Sequence, residues 1–303
     1  MWMLFIFCVL LLVLFFYARS GVAPESALKL PSRKGPMVIA HGNDCGNGLF
    51  PGNTQEYLQN MVALGVDAIE IDLWLSADGH LVLRHDPDLE DSTDGSGFIE
   101  DRTLTDLRNL NAAYHWSRDD ETYPYRQKPL RILTLEEAFE LVGSIPLILD
   151  IKSEQLRAAH VLSDVLESSG KKSQVIVSSF NHRVIQEFRR LSPDTATGST
   201  SWEAGLLFFA QLLRAESLLA PRYQTMQLSM FFWGLDVVTK GTLRAAHKLN
   251  LHVSVWTVNG RADLQRYIDL GVDGIVTDRP DLLIAMLPGR ETKTETKLLE
   301  QAS

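Results

Sequence analysis

Polar side chains recur at or near the carboxyl ends of short apolar runs, where they could meet and do chemistry together. The set consists of His41, Glu70, Asp72, His85, Asp150, Lys152 and Trp256. Three converging carboxylates repel one another and lose hydration on burial, so they favour a shared cation. Oxygen ligands prefer Mg²⁺ or Ca²⁺ to zinc. Histidines titrate near neutral pH, as acid and base catalysts do, and a lysine beside a metal suits a phosphoryl oxyanion.

The alternation of side chains along each run predicts that this set shares one face. Glu70 and Asp72 alternate with isoleucine and leucine, and Asp150 alternates with apolar residues in the same way, so the apolar side chains are expected to pack outward against helices. The same period predicts an inward orientation for His41, His85, Lys152 and Trp256. A single strand-end carboxylate is more often a helix cap, and a lone histidine is more often structural. Two histidines and three carboxylates that are all predicted to face the same way favour a catalytic site over these structural roles.

Nine short β-branched runs alternate with helical stretches between residues 37 and 288. They are 37–41, 67–73, 80–85, 146–152, 174–180, 195–200, 225–229, 252–258 and 274–278. This alternation predicts a parallel sheet, and about eight units predict a closed TIM (β/α)₈ barrel whose catalytic face is at the carboxyl ends of the strands. One run must then be accessory, and 225–229 is our candidate. Residues 87–130 predict a small insertion after the third strand, with a short helix of its own.

The N-terminal region predicts a membrane anchor. Residues 2–18 contain no charge and, as a helix, would cover about 25 Å, the short end of a bilayer core. We expect a transmembrane helix over 1–18; a cleaved signal peptide and a buried core helix remain alternatives. Basic residues follow the run and none precedes it, which predicts a single-pass protein with a cytoplasmic body. Residues 19–36 predict a linker, 37–288 the barrel, and 289–303 a flexible tail.

The composition narrows the class of partner. The chain has 29 basic and 38 acidic residues and a net charge of -9, which argues against nucleic acid as a partner. Hydrophobic residues make up 45% and charged residues 22%, which excludes a disordered chain. The two cysteines are Cys8, inside the apolar run, and Cys45, so no disulfide framework is expected. No obligate protein partner is indicated.

At these residues the sequence resembles the glycerophosphodiester phosphodiesterase family over about residues 37–287. The similar motifs, in order, read AHGNDCGNGLFPGNT, IEIDL, HLVLRHDPDL, LDIK, VSSF, VSVWTVN and GVDGIVTDRP. The N-terminal run, Asp150 in its motif and the apolar segment 205–220 are similar to the membrane-anchored branch of the family, which has lysophospholipase D-type activity. That apolar segment is either an ordinary core helix or an apolar lip that faces the bilayer.

The resemblance implies metal-dependent hydrolysis of glycerophosphodiesters, with lysophospholipids among the candidate substrates and membrane lipid as a partner. The products would be an alcohol and a glycerol phosphate. It implies an acid/base pair of His41 and His85, and a divalent metal, Mg²⁺ or Ca²⁺, held by Glu70, Asp72 and Asp150. It further implies that Lys152 contacts phosphate and that Trp256 shapes the wall around the leaving group. The alternatives are a phospholipase D-type lyase that releases a cyclic phosphate and a non-catalytic membrane protein that binds phosphodiester lipid.

Two positions depart from the family pattern. The family usually has Arg directly after the first histidine and Glu before the Asn-Thr pair, and here these are Gly42 and Gly52. Loss of both charges would remove an internal ion pair, and it motivates the non-catalytic alternative. Arg84 is not an obvious replacement, because its parity in the run points it away from the pocket.

Overall fold

The computed structural model describes residues 35–44, 48–232 and 234–290. Its strands are β1 (Met37–Ala40), β2 (Ala68–Leu75), β3 (Leu81–Leu83), β4 (Leu147–Ile151), β5 (Val175–Ser178), β6 (Ala196–Thr197), β7 (Thr225–Ser229), β8 (Phe231–Phe232), β9 (Leu235–Asp236), β10 (His252–Trp256) and β11 (Gly274–Thr277). Its α-helices are α1 (Gln55–Leu64), α2 (Leu104–Arg108), α3 (Leu135–Val142), α4 (Leu156–Ser169), α5 (His182–Leu191), α6 (Ser201–Leu212), α7 (Lys240–Lys248), α8 (Arg261–Leu270) and α9 (Pro280–Met286).

Eight parallel strands form a nearly closed barrel, in the order β6-β5-β4-β2-β1-β11-β10-β7. An isolated parallel bridge between Gly198 and Thr225 joins the two end strands, β6 and β7. Two backbone hydrogen bonds support this junction, from Ser199 to Thr225 at 2.8 Å and from Gln224 to Thr197 at 3.0 Å. The TIM-barrel architecture predicted from the strand–helix alternation is therefore confirmed.

The accessory strand is β3 and not the predicted 225–229. β3 pairs antiparallel with the end of β2, where Leu73 lies opposite Leu83. β7 instead pairs parallel with β10 over five residue pairs and belongs to the barrel. The reason is the length of the connection: only residues 76–80 separate β2 from β3, whereas a parallel crossover needs a dozen or more. Gly79, at φ 92°, supplies the left-handed conformation that this short turn requires.

The two faces of the barrel strands separate as the alternation predicts. Ile69, Ile71 and Leu73 of β2 lie in the large core between the strands and the helices. A second, smaller cluster fills the inside of the barrel and consists of Met37, Ile39, Ala68, Ile148, Ile176, Ala196 and Val276. Glu70, Asp72 and Asp150 alternate with the outer set, so they lie inside the barrel, above this inner apolar layer.

The segment between β3 and α3 folds against the barrel with a small core of its own. Leu89, Ile99 and Leu107 are buried there together with Val82 of β3. Its only α-helix within the described residues is the five-residue α2, which begins with a capping box from Thr103. The domain boundaries remain a prediction.

The first half of the apolar segment 205–220 lies in α6. Leu206, Leu207 and Ala210 lie in the main core, whereas Phe209 and Leu212 are exposed. One face of α6 is thus an ordinary core face, and the other leaves apolar side chains in solvent.

No helix among residues 35–44, 48–232 and 234–290 is long and apolar enough to cross a membrane. The predicted anchor over 1–18 lies outside the described residues, as do positions 19–34 of the predicted linker, both cysteines, and the tail beyond residue 290.

Candidate active site and metal centre

Three carboxylates meet inside the barrel at the carboxyl ends of two adjacent strands. β2 and β4 run parallel in a register that sets Asp72 opposite Asp150, and Glu70 points the same way one pleat earlier. All three residues are buried, and one oxygen of each lies within 4.8 Å of the others. The predicted convergence of Glu70, Asp72 and Asp150 is confirmed.

The electrostatics of this acidic triad fit a bound cation. Burial raises the pKa of Glu70 to about 8, and the charge of Asp72 acts in the same direction. The buried Oδ1 of Asp150 has no hydrogen-bond partner among the residues that the structure describes. A divalent cation would supply the missing partner and offset the repulsion, and an all-oxygen ligand set suits Mg²⁺ or Ca²⁺. The identity of the metal stays a prediction.

Lys152 lies against the triad rather than apart from it. Its Nζ is 3.0 Å from an Asp72 oxygen and 2.8 Å from an Asp150 oxygen. Burial lowers the pKa of Lys152, but the two aspartates outweigh burial and raise it above its usual value. One ammonium group cannot neutralise three carboxylates, so a net negative charge remains that favours a cation. Its predicted contact with phosphate stays a prediction.

His41 is fixed beside the triad by a residue that the sequence analysis missed. Its Nδ1 is 2.7 Å from Oδ1 of Asp278, and its Nε2 is 3.9 Å from Oε2 of Glu70. The second oxygen of Asp278 accepts a hydrogen bond of 2.6 Å from Asn259. Burial lowers the pKa of His41, but the bond to Asp278 and the nearby carboxylates prevail and raise the pKa to about 9. Nε2 is therefore left facing the triad.

The positions of Asp278 and Asn259 in the sequence could have identified them as site residues. Each follows a barrel strand directly or within three residues, Asp278 after β11 and Asn259 after β10. The position after a barrel strand is where side chains of the catalytic face are expected.

His85 reaches the same face from the loop after β3, not from a barrel strand. The backbone N–H of Arg84 donates to the carbonyl oxygen of Asp72 at 3.2 Å, so the chain that leads into His85 lies beside the end of the triad strand β2. Its side chain is 37% exposed, and its Nδ1 is 2.9 Å from Asp86. Its carbonyl oxygen accepts a hydrogen bond of 3.1 Å from the Trp74 indole. His85 is thus a rim residue, whereas His41 lies inside.

A buried polar network ties the two histidine-bearing loops together. The guanidinium of Arg84 is 2.9 Å from Asp44, and it donates to the carbonyl oxygen of Ala112 at 2.8 Å. The predicted parity of this run is wrong, because Leu81 and Leu83, which were expected to face inward with His85, lie in the outer core between strands and helices. The other contact of Asp44 Oδ2 is the backbone N–H of His85, at 2.8 Å. Burial raises the pKa of Asp44, and Arg84 opposes that shift.

Asn53 continues this network to the triad. Its Nδ2 donates to Asp44 at 2.9 Å and to Asp72 at 3.1 Å, and its Oδ1 accepts from the Asp72 backbone at 3.2 Å. Asn53, Asp44 and Arg84 therefore connect a triad carboxylate with the backbone of His85. The sequence pattern gave no indication that Asp44 takes part in the site.

The two glycines that depart from the family pattern lie where the chain crosses itself. The N–H of Gly52 donates to the carbonyl oxygen of Asn43 at 3.0 Å. A β-carbon at Gly52 would lie 2.2 Å from that oxygen, and one at Gly42 would lie 2.7 Å from the carbonyl oxygen of Glu70. Neither position can carry Arg or Glu in this conformation. The N–H of Gly42 instead donates to Oε2 of Glu70 at 3.1 Å.

Trp256 lies at the mouth of the barrel with a second aromatic ring. Its indole N–H donates to the carbonyl oxygen of Gln227 at 3.0 Å, and its ring meets that of Phe180 edge to face at 5.9 Å. The Phe180 ring is 5.6 Å from Nζ of Lys152. The predicted role of Trp256 in the leaving-group wall stays a prediction.

Known proteins are similar to this chain in sequence. A glycerophosphodiester phosphodiesterase from Caldanaerobacter subterraneus is 30% identical over 259 residues, which cover 83% of this chain and 97% of the relative. One from Bacillus subtilis is 28% identical over 282 residues, 86% of this chain and 90% of the relative.

Solved structures are similar to this chain in fold. The glycerophosphoryl diester phosphodiesterase domain of an uncharacterized Mycobacterium tuberculosis protein superposes with a TM-score of 0.71 at 24% identity, covering 83% of this chain and 98% of that one. An Oleispira antarctica phosphodiesterase, solved with the product sn-glycerol-3-phosphate, gives 0.64 at 25% identity, covering 83% and 96%. The sequence profile of the glycerophosphoryl diester phosphodiesterase family matches residues 46–282. The chain belongs to the glycerophosphoryl diester phosphodiesterase family.

Proposed function

We propose that this protein is a metal-dependent phosphodiesterase that hydrolyses glycerophosphodiesters, including lysophospholipids, to an alcohol and a glycerol phosphate. The observation that carries the proposal is the buried acidic triad, with its oxygens within 4.8 Å of one another, beside His41. Relatives named glycerophosphodiester phosphodiesterase and a similar phosphodiesterase solved with sn-glycerol-3-phosphate support the substrate class.

Each residue of the site has a proposed role in the reaction. Glu70, Asp72 and Asp150 would hold Mg²⁺ or Ca²⁺, which when bound offers positive charge to a phosphoryl oxygen. Lys152 adds a fixed cation beside that position. One of the two histidines removes a proton from the nucleophile, which is water or the glycerol hydroxyl of the substrate, and the other protonates the leaving alcohol. Asp278 would orient His41 and stabilise its charged form.

The test is turnover by the purified full chain. Glycerophosphocholine and lysophosphatidylcholine are supplied with Mg²⁺, with Ca²⁺ or with a chelator, and products are identified by phosphorus NMR. We expect metal-dependent release of choline, together with glycerol phosphate from glycerophosphocholine and acylglycerol phosphate from lysophosphatidylcholine. Turnover should fall at least about a hundredfold in His41→Ala and in His85→Ala. Wild-type turnover in either variant would refute its role.

Other results of the same experiment would support the alternatives. A cyclic phosphate as the end product would mean that the glycerol hydroxyl attacks and that the enzyme acts as a lyase. Saturable binding of lysophosphatidylcholine without turnover would favour the non-catalytic lipid-binding protein that the replacement of Arg and Glu by Gly42 and Gly52 suggests.

We also propose that residues 1–18 anchor the protein in a membrane as a single-pass helix, with the body in the cytoplasm. The uncharged run 2–18 and the basic residues after it support this topology. Protease added outside intact cells should leave the barrel whole and should digest it after permeabilisation. Digestion of the barrel in intact cells would show that the body lies outside the cell, opposite to the proposed orientation.

A further inference from the structure

Four apolar side chains are exposed around the mouth of the barrel. Phe231 and Phe232 of β8 and Leu235 of β9 are 49%, 53% and 62% exposed, and Phe180, just after β5, is 63% exposed. We call Phe180, Phe231, Phe232 and Leu235 the apolar rim. Burial of large apolar side chains is favourable, so a cluster of exposed ones indicates a surface that meets something apolar.

Contacts with Trp256 place the apolar rim at the catalytic mouth. The N–H of Met230, which precedes β8, donates to the carbonyl oxygen of Trp256 at 3.2 Å. Phe180 packs edge to face on the Trp256 ring, and its own ring is 5.6 Å from Nζ of Lys152. A substrate that reaches Lys152 therefore passes close to Phe180, and the β8–β9 hairpin follows a barrel strand at the same end of the barrel.

The β8–β9 hairpin is short. Each strand has two residues, and within the described part of the chain the two strands pair only with each other. An isolated two-stranded hairpin is marginally stable in water. Its two phenylalanines lie outside the main core, and about half of each side chain is exposed.

The chain outside the described residues indicates what covers the apolar rim. Residues 2–18 carry no charge, and residues 19–36 connect them to β1, which begins at the end of the barrel opposite the mouth. A connection of that length reaches about 60 Å when extended. A body of this size is about 45 Å across. The mouth can therefore face the same bilayer that holds the N-terminal run.

We propose that the apolar rim docks the catalytic mouth on the surface of a lipid bilayer, with the rings of Phe231 and Phe232 in the interfacial region. A lipid headgroup can then reach Lys152 and the acidic triad while its acyl chain stays in apolar surroundings. The choice of lipid substrate rests on the proposed function; the docking itself does not.

The first experiment locates the rim without using activity. The full chain is placed in phosphatidylcholine vesicles in a Cys8→Ser, Cys45→Ser background, with an environment-sensitive fluorophore on Phe232→Cys. The matched control is Leu218→Cys, because Leu218 is also 53% exposed. Its segment lies near the opposite end of the barrel, where Glu216 pairs with Lys248 at the end of α7.

We expect a blue shift, and quenching by nitroxide-labelled lipid, at position 232 but not at 218. Equal spectra and equal quenching at the two positions would overturn the proposal. So would a blue shift at 232 that appears without vesicles and depends on protein concentration, since that would identify a second copy of the chain as the occupant.

The second experiment compares two substrates. The double variant Phe231→Ser, Phe232→Ser should lose at least about tenfold in turnover of lysophosphatidylcholine embedded in vesicles, since two large apolar contacts are removed. It should keep wild-type turnover of soluble glycerophosphocholine, as should Leu218→Ser on both substrates. An equal loss on both substrates would contradict docking. Absence of turnover of either substrate by the wild-type protein would instead refute the proposed function and leave the fluorescence result standing.

Discussion

Arg84 and Asp44 form an ion pair of 2.9 Å in which each side chain is only 1% exposed. Asp44 lies in the loop after β1, three residues beyond His41, and Arg84 directly precedes His85. The pair therefore joins the two loops that carry the histidines. Asp44 also accepts the backbone N–H of His85, so the position of that histidine depends on the same carboxylate. A buried pair of this kind is weak evidence of net stabilisation, but removal of one partner leaves an uncompensated charge.

Arg84→Met should therefore destabilise the protein by about 3–5 kcal/mol, because Asp44 stays buried without its counter-charge. Unfolding in urea measures the change. Arg108→Met is the matched control: Arg108 pairs with Glu137 at 2.8 Å, but its side chain is 40% exposed. An exposed pair contributes at most about 1 kcal/mol. Equal stabilities of the two variants would show that the buried pair has no special role.

Asp278→Asn should lower the pKa of His41, which is about 9 in the metal-free protein. The substitution removes a negative charge 2.7 Å from Nδ1, and that charge favours the protonated ring. An NMR titration of the ring measures the pKa. Asp281→Asn is the control, since Asp281 pairs with Arg279 and not with a histidine. If His41 titrates alike in both variants, Asp278 does not position or charge it.

Mg²⁺ or Ca²⁺ should raise the melting temperature of the protein, because a ligand that binds only the folded state stabilises it. The gain is about 2.7 kcal/mol at a hundredfold excess over the dissociation constant. Glu70→Gln and Asp150→Asn should abolish the shift, whereas the surface variant Glu187→Gln should retain it. A shift that survives in both triad variants would mean that the cation binds elsewhere.

Gly52→Ala should destabilise the protein, because its β-carbon would lie 2.2 Å from the carbonyl oxygen of Asn43. Gly52→Glu, which restores the family residue, should do no better. Gly205→Ala in α6 is the control, because nothing lies within 4 Å of a β-carbon there. Alanine in a helix is favoured over glycine by about 1 kcal/mol. The melting temperature should therefore fall in Gly52→Ala and rise in Gly205→Ala. A Gly52→Ala protein as stable as the wild type would contradict the close contact between Gly52 and the Asn43 carbonyl oxygen.

The sequence by itself determined that the three carboxylates of the triad face the inside of the barrel, whereas the same alternation predicted the wrong face for the run 80–85. An extended chain alternates with a period of two, so the apolar partners of Glu70, Asp72 and Asp150 were enough to orient them. Alternating strands and helices were likewise enough for the barrel, because a parallel strand requires a crossover. These properties are local, and local patterns can be read from neighbouring residues.

Only the tertiary structure decided how the site is completed. The bond between His41 and Asp278 joins residues 237 positions apart, and the contact between Asp44 and His85 joins residues 41 apart. No periodicity encodes such pairings, because they depend on which loops meet above the barrel. We also expected 225–229 to be the accessory strand, although 80–85 fills that role. Both runs favour a strand, so only their partners distinguish them. The short connection to β2 makes β3 antiparallel, and closure of the barrel between β6 and β7 makes 225–229 a barrel strand.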